Sequence, residues 1–240
     1  MGVEYPAKKL TMGYWAIRGL AAPMRMMAAY SGTEIEEMRY AATKKADDSG
    51  WETPAWFGED KPVLAEKNAM INLPYMIDGD KVVTQSNSCF FFMQKKCGLE
   101  PKDDAAVCDN QQVMMQVFDL RNDAMKVVYG GTDKEGFKKG APEYFKGVSG
   151  HYAKLNGFLK QKGTPFFCGA EPLAGDFHVF EMLDMHSAMA KETGVTDPIE
   201  ECPELKKLHA TFKAEPKLKG YYESSGYALP FNNPAFASFK

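Results

Sequence analysis

The 240-residue sequence has little net charge and no long apolar run. Its 29 lysine and arginine residues nearly balance 32 aspartate and glutamate residues, which gives a formal net charge of −3. A small acidic excess does not favour binding of nucleic acid through phosphate contacts. The best apolar run, CFFFM at residues 89–93, is far shorter than the ~20 residues that cross a bilayer. The sequence therefore predicts neither a nucleic-acid partner nor a membrane partner.

Patterns for targeting, metal binding and common active sites are also missing. MGVEYPAKKL has no apolar signal-peptide core, so we expect a cytoplasmic protein. The five cysteines are an odd, widely spaced set without a CxxC pair, which is typical of reduced thiols. The four histidines show no HExxH or Cys/His spacing, so no metal site is predicted. GxGxxG, GxxxxGK(S/T) and GxSxG are absent, which disfavours common nucleotide enzymes and serine hydrolases.

The first ~95 residues alternate strand and helix signals. In chain order these are strand KLTMGYW, helix LAAPMRMMAAY, strand EIEEMRYAA, strands LPYMI and KVVTQ, and helix SNSCFFFMQKK with a serine N-cap. Asp78-Gly79-Asp80 between the last two strands is a hairpin signal. Residues 43–60 are polar and contain glycine and proline, which predicts a loop, and KPVLAEKNA is a candidate short helix. The order βαβ then ββα predicts a small mixed sheet with helices on its faces.

After about residue 100 the strand signals end and apolar residues recur at helical spacing. The segments that show this spacing are residues 109–129, 143–163, 175–194 and 202–224. Residues 229–240, rich in proline and asparagine, predict an irregular tail. We therefore predict an α+β protein with an N-terminal βαβ-ββα domain at 1–98 and an all-helical domain at 99–240.

The stretch NLPYMIDGDKVVTQSNS carries the first chemical signal. Leu73-Pro74 before a strand is a typical setting for a cis-proline. Because proline has no backbone N–H to donate to a neighbouring strand, the backbone beside it at Leu73 stays open to an extended peptide. Gln85-Ser86 lies where a strand ends and a helix begins, which favours an anion. On these residues alone, a hairpin and a helix cap without any ligand are an equally good interpretation.

Tyr14 and Trp15 end the first predicted strand, just before Arg18-Gly19. Strand ends at one edge of such a sheet face a common crevice. A phenol there can donate a hydrogen bond to a thiolate and so lower the pKa of the thiol. Without that context, core packing is the better interpretation of the aromatic pair. Arg18 could contact a ligand or an electrophile, and the sequence leaves both open.

Together, GYWAIRGLAAPMR, NLPYMIDGDKVVTQSN and the helical half resemble cytosolic glutathione S-transferases, most closely the mu class, over nearly the whole chain. The resemblance implies a thioredoxin-like glutathione-binding domain followed by a helical domain with the electrophile site. It implies a homodimeric transferase that joins the thiolate of glutathione, its co-substrate, to small apolar electrophiles in detoxification, without a tightly bound cofactor. The alternatives are a non-catalytic carrier or structural protein of this fold, or a glutathione-dependent isomerase.

The resemblance also assigns residues. Tyr14 is implied as the catalytic residue that stabilises the thiolate. The backbone of Leu73 is implied to pair with the cysteinyl residue, and Gln85-Ser86 to bind the γ-glutamyl carboxylate. The complete set of implied glutathione contacts is Tyr14, Trp15, Trp56, Lys61, Asn72, Leu73, Pro74, Gln85, Ser86 and, from the partner subunit, Asp119. Tyr14, Leu20 and Tyr129 are implied at the electrophile site, and Trp51 is the alternative to Trp56.

Three features depart from the family pattern. The segment between Tyr40 and Asn72 is longer than expected. Met70 stands at the position of the aromatic residue that inserts into the partner subunit. Leu173 replaces a serine or threonine that caps a helix, a loss of ~1 kcal/mol that another group must offset. The 15 methionines are better explained as core filling than as an adaptable surface.

Overall fold

The computed structural model describes residues 9–47, 49–130 and 133–240. The first eight residues of the predicted first domain lie outside this range. Elements of the first half are β1 (Leu10–Trp15), α1 (Ala21–Ser31), β2 (Ile35–Tyr40), β3 (Thr43–Lys44), β4 (Trp51–Glu52), α2 (Lys61–Lys67), β5 (Tyr75–Asp78), β6 (Lys81–Thr84) and α3 (Ser86–Lys96). Four strands form one sheet in the order β2-β1-β5-β6. β1 is parallel to β2 and antiparallel to β5, which confirms the mixed βαβ-ββα arrangement.

The loop predicted at residues 43–60 is wrong in part. β3 and β4 form a two-stranded antiparallel ribbon, and a turn of π-helix (Ala55–Asp60) leads directly into α2. Aromatic packing organises this polar segment. The buried ring of Trp56 stacks on Tyr75 at 5.8 Å, and the hydroxyl of Tyr40 donates to the Asp60 carboxylate at 2.5 Å. These contacts come from distant residues, so local polarity did not reveal them.

The second half consists of α4 (Asp104–Val128), α5 (Lys134–Lys162), α6 (Ala174–Thr193), α7 (Pro203–Ala214) and α8 (Lys219–Tyr222). The helical prediction is confirmed, with two corrections. α5 begins before residue 143 and continues through Pro142. The segment at 202–224 is interrupted where Glu215 takes extended backbone before Pro216, a residue pair that disfavours helix. The tail at 229–240 contains no helix or strand, as predicted.

Residues 98 and 99 lie in the segment that connects α3 to α4, so the predicted domain boundary falls between two helices. α6 lies at the centre of the helical half and packs against both α1 and α4. Met24, Met26 and Met27 of α1 and Met114 of α4 are fully buried, which confirms core filling for them, but Met115 is 45% exposed, so the expectation is wrong there. Among the described helices, none has the length and apolar composition that crossing a bilayer requires.

Side chains from other helices replace the missing cap of α6. The carbonyl oxygen of Gln94 accepts the Ala174 N–H at 2.8 Å, and that of Asn110 accepts the Gly175 N–H at 3.0 Å. The Gln94 oxygen also accepts the Asn110 amide at 2.9 Å. Two buried amides thus satisfy N–H groups that the first turn leaves without a helical partner. They offset the loss of a capping hydroxyl at Leu173.

Candidate active site

Strand register brings three predicted segments to one edge of the sheet. Gly13 of β1 and Thr84 of β6 both lie opposite Tyr75, the first residue of β5. Tyr14, which follows Gly13, therefore lies at the same edge of the sheet as Pro74, which precedes β5, and Gln85, which follows β6. The hydroxyl of Thr84 donates to the Asn72 carbonyl at 2.8 Å and holds the connections together.

A cavity of about 760 Å³ opens beside this edge. Tyr14 and Trp15 form part of its wall, and the Tyr14 side chain lies otherwise in the core, with only 5% of the residue exposed. No group in the described part of the chain hydrogen-bonds to the Tyr14 hydroxyl. The remaining wall consists of Ile17, Trp51, Glu52, Thr53, Pro54, Phe57, Arg121, Met125, Tyr129, Asn233 and Phe236.

The Leu73-Pro74 peptide bond is cis, as the sequence predicts. The Leu73 N–H donates to the side-chain oxygen of Asn72 at 3.0 Å, so this donor is engaged within the chain. No group among the described residues donates to the Leu73 carbonyl. Of the two backbone groups of Leu73 that an extended peptide could pair with, the carbonyl oxygen is therefore free, and the N–H is bound by the Asn72 side chain.

Gln85 is the N-cap of α3 and has φ of +71°, a backbone conformation that residues other than glycine rarely adopt. The predicted serine cap is wrong by one position, because Ser86 is already the first helical residue. Gln85 makes no side-chain cap bond. The N-terminal end of α3 therefore has no capping side chain, and uncapped N–H groups at a helix start are suitable for a carboxylate.

The two tryptophan alternatives occupy different places. Trp56 is fully buried, its ring nitrogen has no hydrogen-bond partner among the described residues, and the structure does not bring it to the cavity. Trp51 is 44% exposed and lies on the cavity wall. Lys61 lies close by, with Nζ 5.4 Å from the ring centre of the cavity residue Phe57. This geometry favours Trp51 as the ligand contact.

Tyr129 lies at the C-terminal end of α4, on the cavity wall opposite the sheet edge. Its hydroxyl accepts the Asn233 N–H at 2.9 Å, which ties the tail to the cavity. Although 39% of the residue is exposed, the enclosure of its phenol raises the pKa of Tyr129 and outweighs the Asn233 hydrogen bond, which lowers it. Leu20, also predicted at the electrophile site, is half-buried against the core and is not part of the cavity wall.

Arg18 serves neither of the roles left open for it. Its guanidinium is buried and donates to both carboxylate oxygens of Glu181, at 3.1 and 2.6 Å, and to Asp184 at 2.8 Å. Burial opposes ionisation of Asp184, but His209, Arg18 and Lys213 together hold its pKa well below the usual range. Arg18 therefore anchors the turn after β1 to α6.

Asp119 does not lie in the cavity with Tyr14. It is exposed on another side of α4, where it lines a groove of about 890 Å³ between α4 and α5. Met115 and Cys108 line the same groove. Its predicted contact with glutathione across a subunit interface stays a prediction.

Sequence reasoning missed several residues of the cavity wall, among them the buried cation Arg121. Arg121, Met125 and Tyr129 follow one another at four-residue spacing along α4 and share one face of the helix. This spacing from Tyr129 was a usable signal for Arg121. Phe236 was not predictable, because it reaches Trp51, at a ring distance of 6.2 Å, through an irregular tail.

The mixed sheet and the helical half form a two-domain arrangement, and the cavity between them has the phenol of Tyr14 on its wall. Family models agree: "Glutathione S-transferase, N-terminal domain" matches residues 10–94, and "Glutathione S-transferase, C-terminal domain" matches residues 118–225. Glutathione S-transferase Mu 1 of Oryctolagus cuniculus is 30% identical over 218 residues, 91% of this chain and 92% of the relative. Glutathione S-transferase Mu 6 of Mus musculus is 29% identical over 221 residues, 91% and 92% of the two chains.

A solved structure shows the same architecture. The crystal structure of the glutathione S-transferase Blo t 8 superposes with a TM-score of 0.75 at 26% identity, over 95% of this chain and 99% of that chain. The chain belongs to the glutathione S-transferase family. The resemblance found in the sequence, including its likeness to the mu class, is confirmed.

Proposed function

We propose that this chain is a glutathione transferase that uses Tyr14 to hold the thiolate of glutathione and presents it to apolar electrophiles. The observation that carries the proposal is the Tyr14 hydroxyl. It lies on the wall of a cavity, close to the sheet edge, and has no hydrogen-bond partner within the described chain. The hydroxyl is not enclosed by protein, so it is open to the cavity and can donate a hydrogen bond to a bound ligand.

The chemistry requires an ionised thiol. A free thiol with a pKa near ~8.5 is only a few per cent ionised at neutral pH. A hydrogen bond from Tyr14 to sulfur favours the thiolate, and a drop of ~2 pKa units corresponds to ~2.7 kcal/mol. The thiol proton passes to solvent. The thiolate then forms a carbon–sulfur bond, and the leaving group departs with its electron pair or the adduct takes up a proton.

Glutathione extends along the sheet edge in this proposal. The Leu73 carbonyl accepts from the cysteinyl backbone, with Asn72 and Pro74 beside it. Gln85 and Ser86, at the start of α3, bind the γ-glutamyl carboxylate. Trp51 and Lys61 hold the glycyl carboxylate, and Trp15 contacts the peptide. Trp51 replaces Trp56 in this role because Trp51 lines the cavity, whereas Trp56 is fully buried and stacks on Tyr75.

The electrophile occupies the side of the cavity formed by α4 and the tail. Tyr129 lies there with its hydroxyl already bound to the Asn233 N–H. Because it still carries its proton, it can donate to an oxygen that gains negative charge during attack.

The working unit in this proposal is a cytoplasmic homodimer. The exposed Met70, at 67%, and the groove that holds Asp119 are surfaces on which a second copy would pack. Sedimentation velocity at micromolar concentration should give a species of twice the 26.7 kDa chain. A monomer that is fully active would contradict the role of Asp119 in trans.

Two measurements test the function together. Calorimetric titration should show saturable binding of glutathione, and 1-chloro-2,4-dinitrobenzene with glutathione should give the thioether at a rate proportional to enzyme. Mass spectrometry of the product distinguishes an adduct from an isomer. Absence of both binding and turnover would reduce the conclusion to family membership and fold.

A further inference from the structure

Arg121 is a charged cavity residue to which the proposed chemistry gives no role. It lines the wall beside Tyr14 and Tyr129, and only 9% of it is exposed. Across residues 9–47, 49–130 and 133–240, no acceptor hydrogen-bonds to its guanidinium and no carboxylate forms an ion pair with it. Arginine stays charged in proteins, so an unpaired cation lies at the cavity wall.

Other buried arginines of the chain are paired. Arg18 bonds to both oxygens of Glu181, and Arg25 bonds to both oxygens of Glu37, at 3.2 and 3.0 Å. The fold therefore supplies a carboxylate where a guanidinium is buried for structural reasons. Arg121 differs from these two in facing a cavity instead of a carboxylate.

The nearby carboxylates do not neutralise Arg121. Glu181 is close enough for Arg121 to affect its pKa, but burial outweighs this effect and both of its oxygens are bound by Arg18. Glu52 lies on the cavity wall, yet it is exposed on β4 and forms no ion pair with Arg121. The carboxylates of glutathione are placed at Ser86 and Lys61 in the proposed binding mode. The partner of Arg121 must therefore come with the second substrate.

The walls around Arg121 are otherwise mostly apolar and suit a hydrophobic body. The apolar wall residues that the proposed binding mode does not assign to glutathione are Ile17, Phe57, Met125 and Phe236. The nitrogens of Arg121 are not enclosed by protein, so the charge is open to the cavity, and an anionic ligand that also fills the apolar space can pair with it. A carboxylate matches the planar fork of the guanidinium through two parallel hydrogen bonds.

We propose that Arg121 is a specificity-determining residue that binds a carboxylate carried by an otherwise apolar electrophile. The inference rests on the proposed function, because glutathione fills the rest of the cavity. It assigns to this chain a preference for electrophilic organic acids over their neutral analogues.

The test uses non-reactive thioethers that differ in charge. S-(4-carboxybenzyl)glutathione and its 4-carboxamide are titrated by calorimetry into the wild-type protein and its variants. Arg121→Gln should lower the acid-to-amide affinity ratio about 10- to 100-fold, and Arg121→Lys should lower it less. Lys126→Gln removes the same charge from an exposed position of α4, off the cavity wall, and should keep the wild-type ratio. Thermal midpoints should show that Arg121→Gln is folded and no less stable, since the substitution breaks no hydrogen bond or ion pair of the described chain.

Turnover provides a second readout. With 4-chloro-3-nitrobenzoate and its methyl ester, each rate divided by its uncatalysed rate, Arg121→Gln should raise KM for the acid much more than for the ester. An equal loss of kcat for both substrates would mean that Arg121 acts on transition-state charge, which overturns the carboxylate proposal. An unchanged acid-to-amide affinity ratio would overturn this inference alone. Binding of neither thioether would overturn the proposed function together with it.

Discussion

Contact between Tyr14 and Gly19 explains the glycine that follows Arg18. A Cβ at Gly19 would lie 2.8 Å from Tyr14 Cε1 and 3.0 Å from its hydroxyl oxygen, and the backbone φ is +41°. A side chain at this position would displace the phenol from the cavity wall. Arg18 turns the other way and anchors the same turn to Glu181. Adjacent residues thus leave room for the hydroxyl and fix the backbone around it.

At the residue scale, Tyr14→Phe should separate glutathione binding from turnover. The thiolate loses its hydrogen bond, so the pKa of bound glutathione should rise toward that of the free thiol. We expect kcat/KM to fall about 10- to 100-fold near pH 6.5, as a loss of 1.4–2.7 kcal/mol would give. The loss should shrink as the pH rises above the free-thiol pKa. Steady-state kinetics from pH 6 to 9 and the ultraviolet absorbance of bound thiolate measure both effects.

Tyr30→Phe is the matched control for this experiment. It removes a hydroxyl that bonds to Glu171, away from the cavity wall. Its pH profile should follow that of the wild type. An unchanged thiolate absorbance in Tyr14→Phe, or the same change in Tyr30→Phe, would rule out Tyr14 as the thiolate donor.

At the element scale, the sequence predicted the sheet and the helical half because these elements have regular apolar periodicity. It failed where distant contacts decide local structure. The segment around Trp56 read as a loop, yet stacking on Tyr75 orders it into a helical turn. Candidate site residues could be predicted where motifs are local, as at Tyr14, which lines the cavity, and at Leu73, which precedes a cis peptide bond. Arg121 was missed because its importance comes from the absence of a partner in three dimensions.

The capping of α6 by other helices gives a prediction at this scale. Gln94→Leu removes the oxygen that accepts from the Ala174 N–H and from the Asn110 amide. Both donors are buried, and each loses a hydrogen bond without gaining water. We expect a loss of about 2–4 kcal/mol in the free energy of unfolding, measured by urea denaturation.

Lys95→Leu is the control for this prediction, because it adds the same side chain at the exposed neighbour on α3. Its effect should stay within about 0.5 kcal/mol. If Gln94→Leu were equally mild, the amide would not be the replacement for the missing cap at Leu173.

At the scale of the whole molecule, buried titratable groups in α6 make stability depend on pH. Burial, reinforced by the charge of Arg121, lowers the pKa of His178 to about 3, and burial does the same for His186. Between about pH 3 and 6.5 each of these histidines is neutral in the native protein and protonated in the unfolded chain. The free energy of unfolding is therefore unaffected by these groups above about pH 6.5. Below that pH it falls by ~1.4 kcal/mol per pH unit for each group. Burial raises the pKa of Asp176 to about 7, so this carboxyl group increases the free energy of unfolding as the pH falls from about 7 to 4.

His178→Leu isolates one of these groups, because Asp176 and His186 titrate in both proteins and cancel in the comparison. His178 lies between Phe90 and Phe118, and neither of its ring nitrogens has a hydrogen-bond partner in the described chain. Relative to wild type, the variant should therefore gain about 2 kcal/mol in unfolding free energy when the pH falls from 8 to 5. Phe180→Leu, a buried and uncharged site on the same helix, should show a difference that is independent of pH. Urea denaturation at the two pH values measures both variants. A His178→Leu difference that also stays constant would mean that this histidine protonates in the native state as readily as in the unfolded chain.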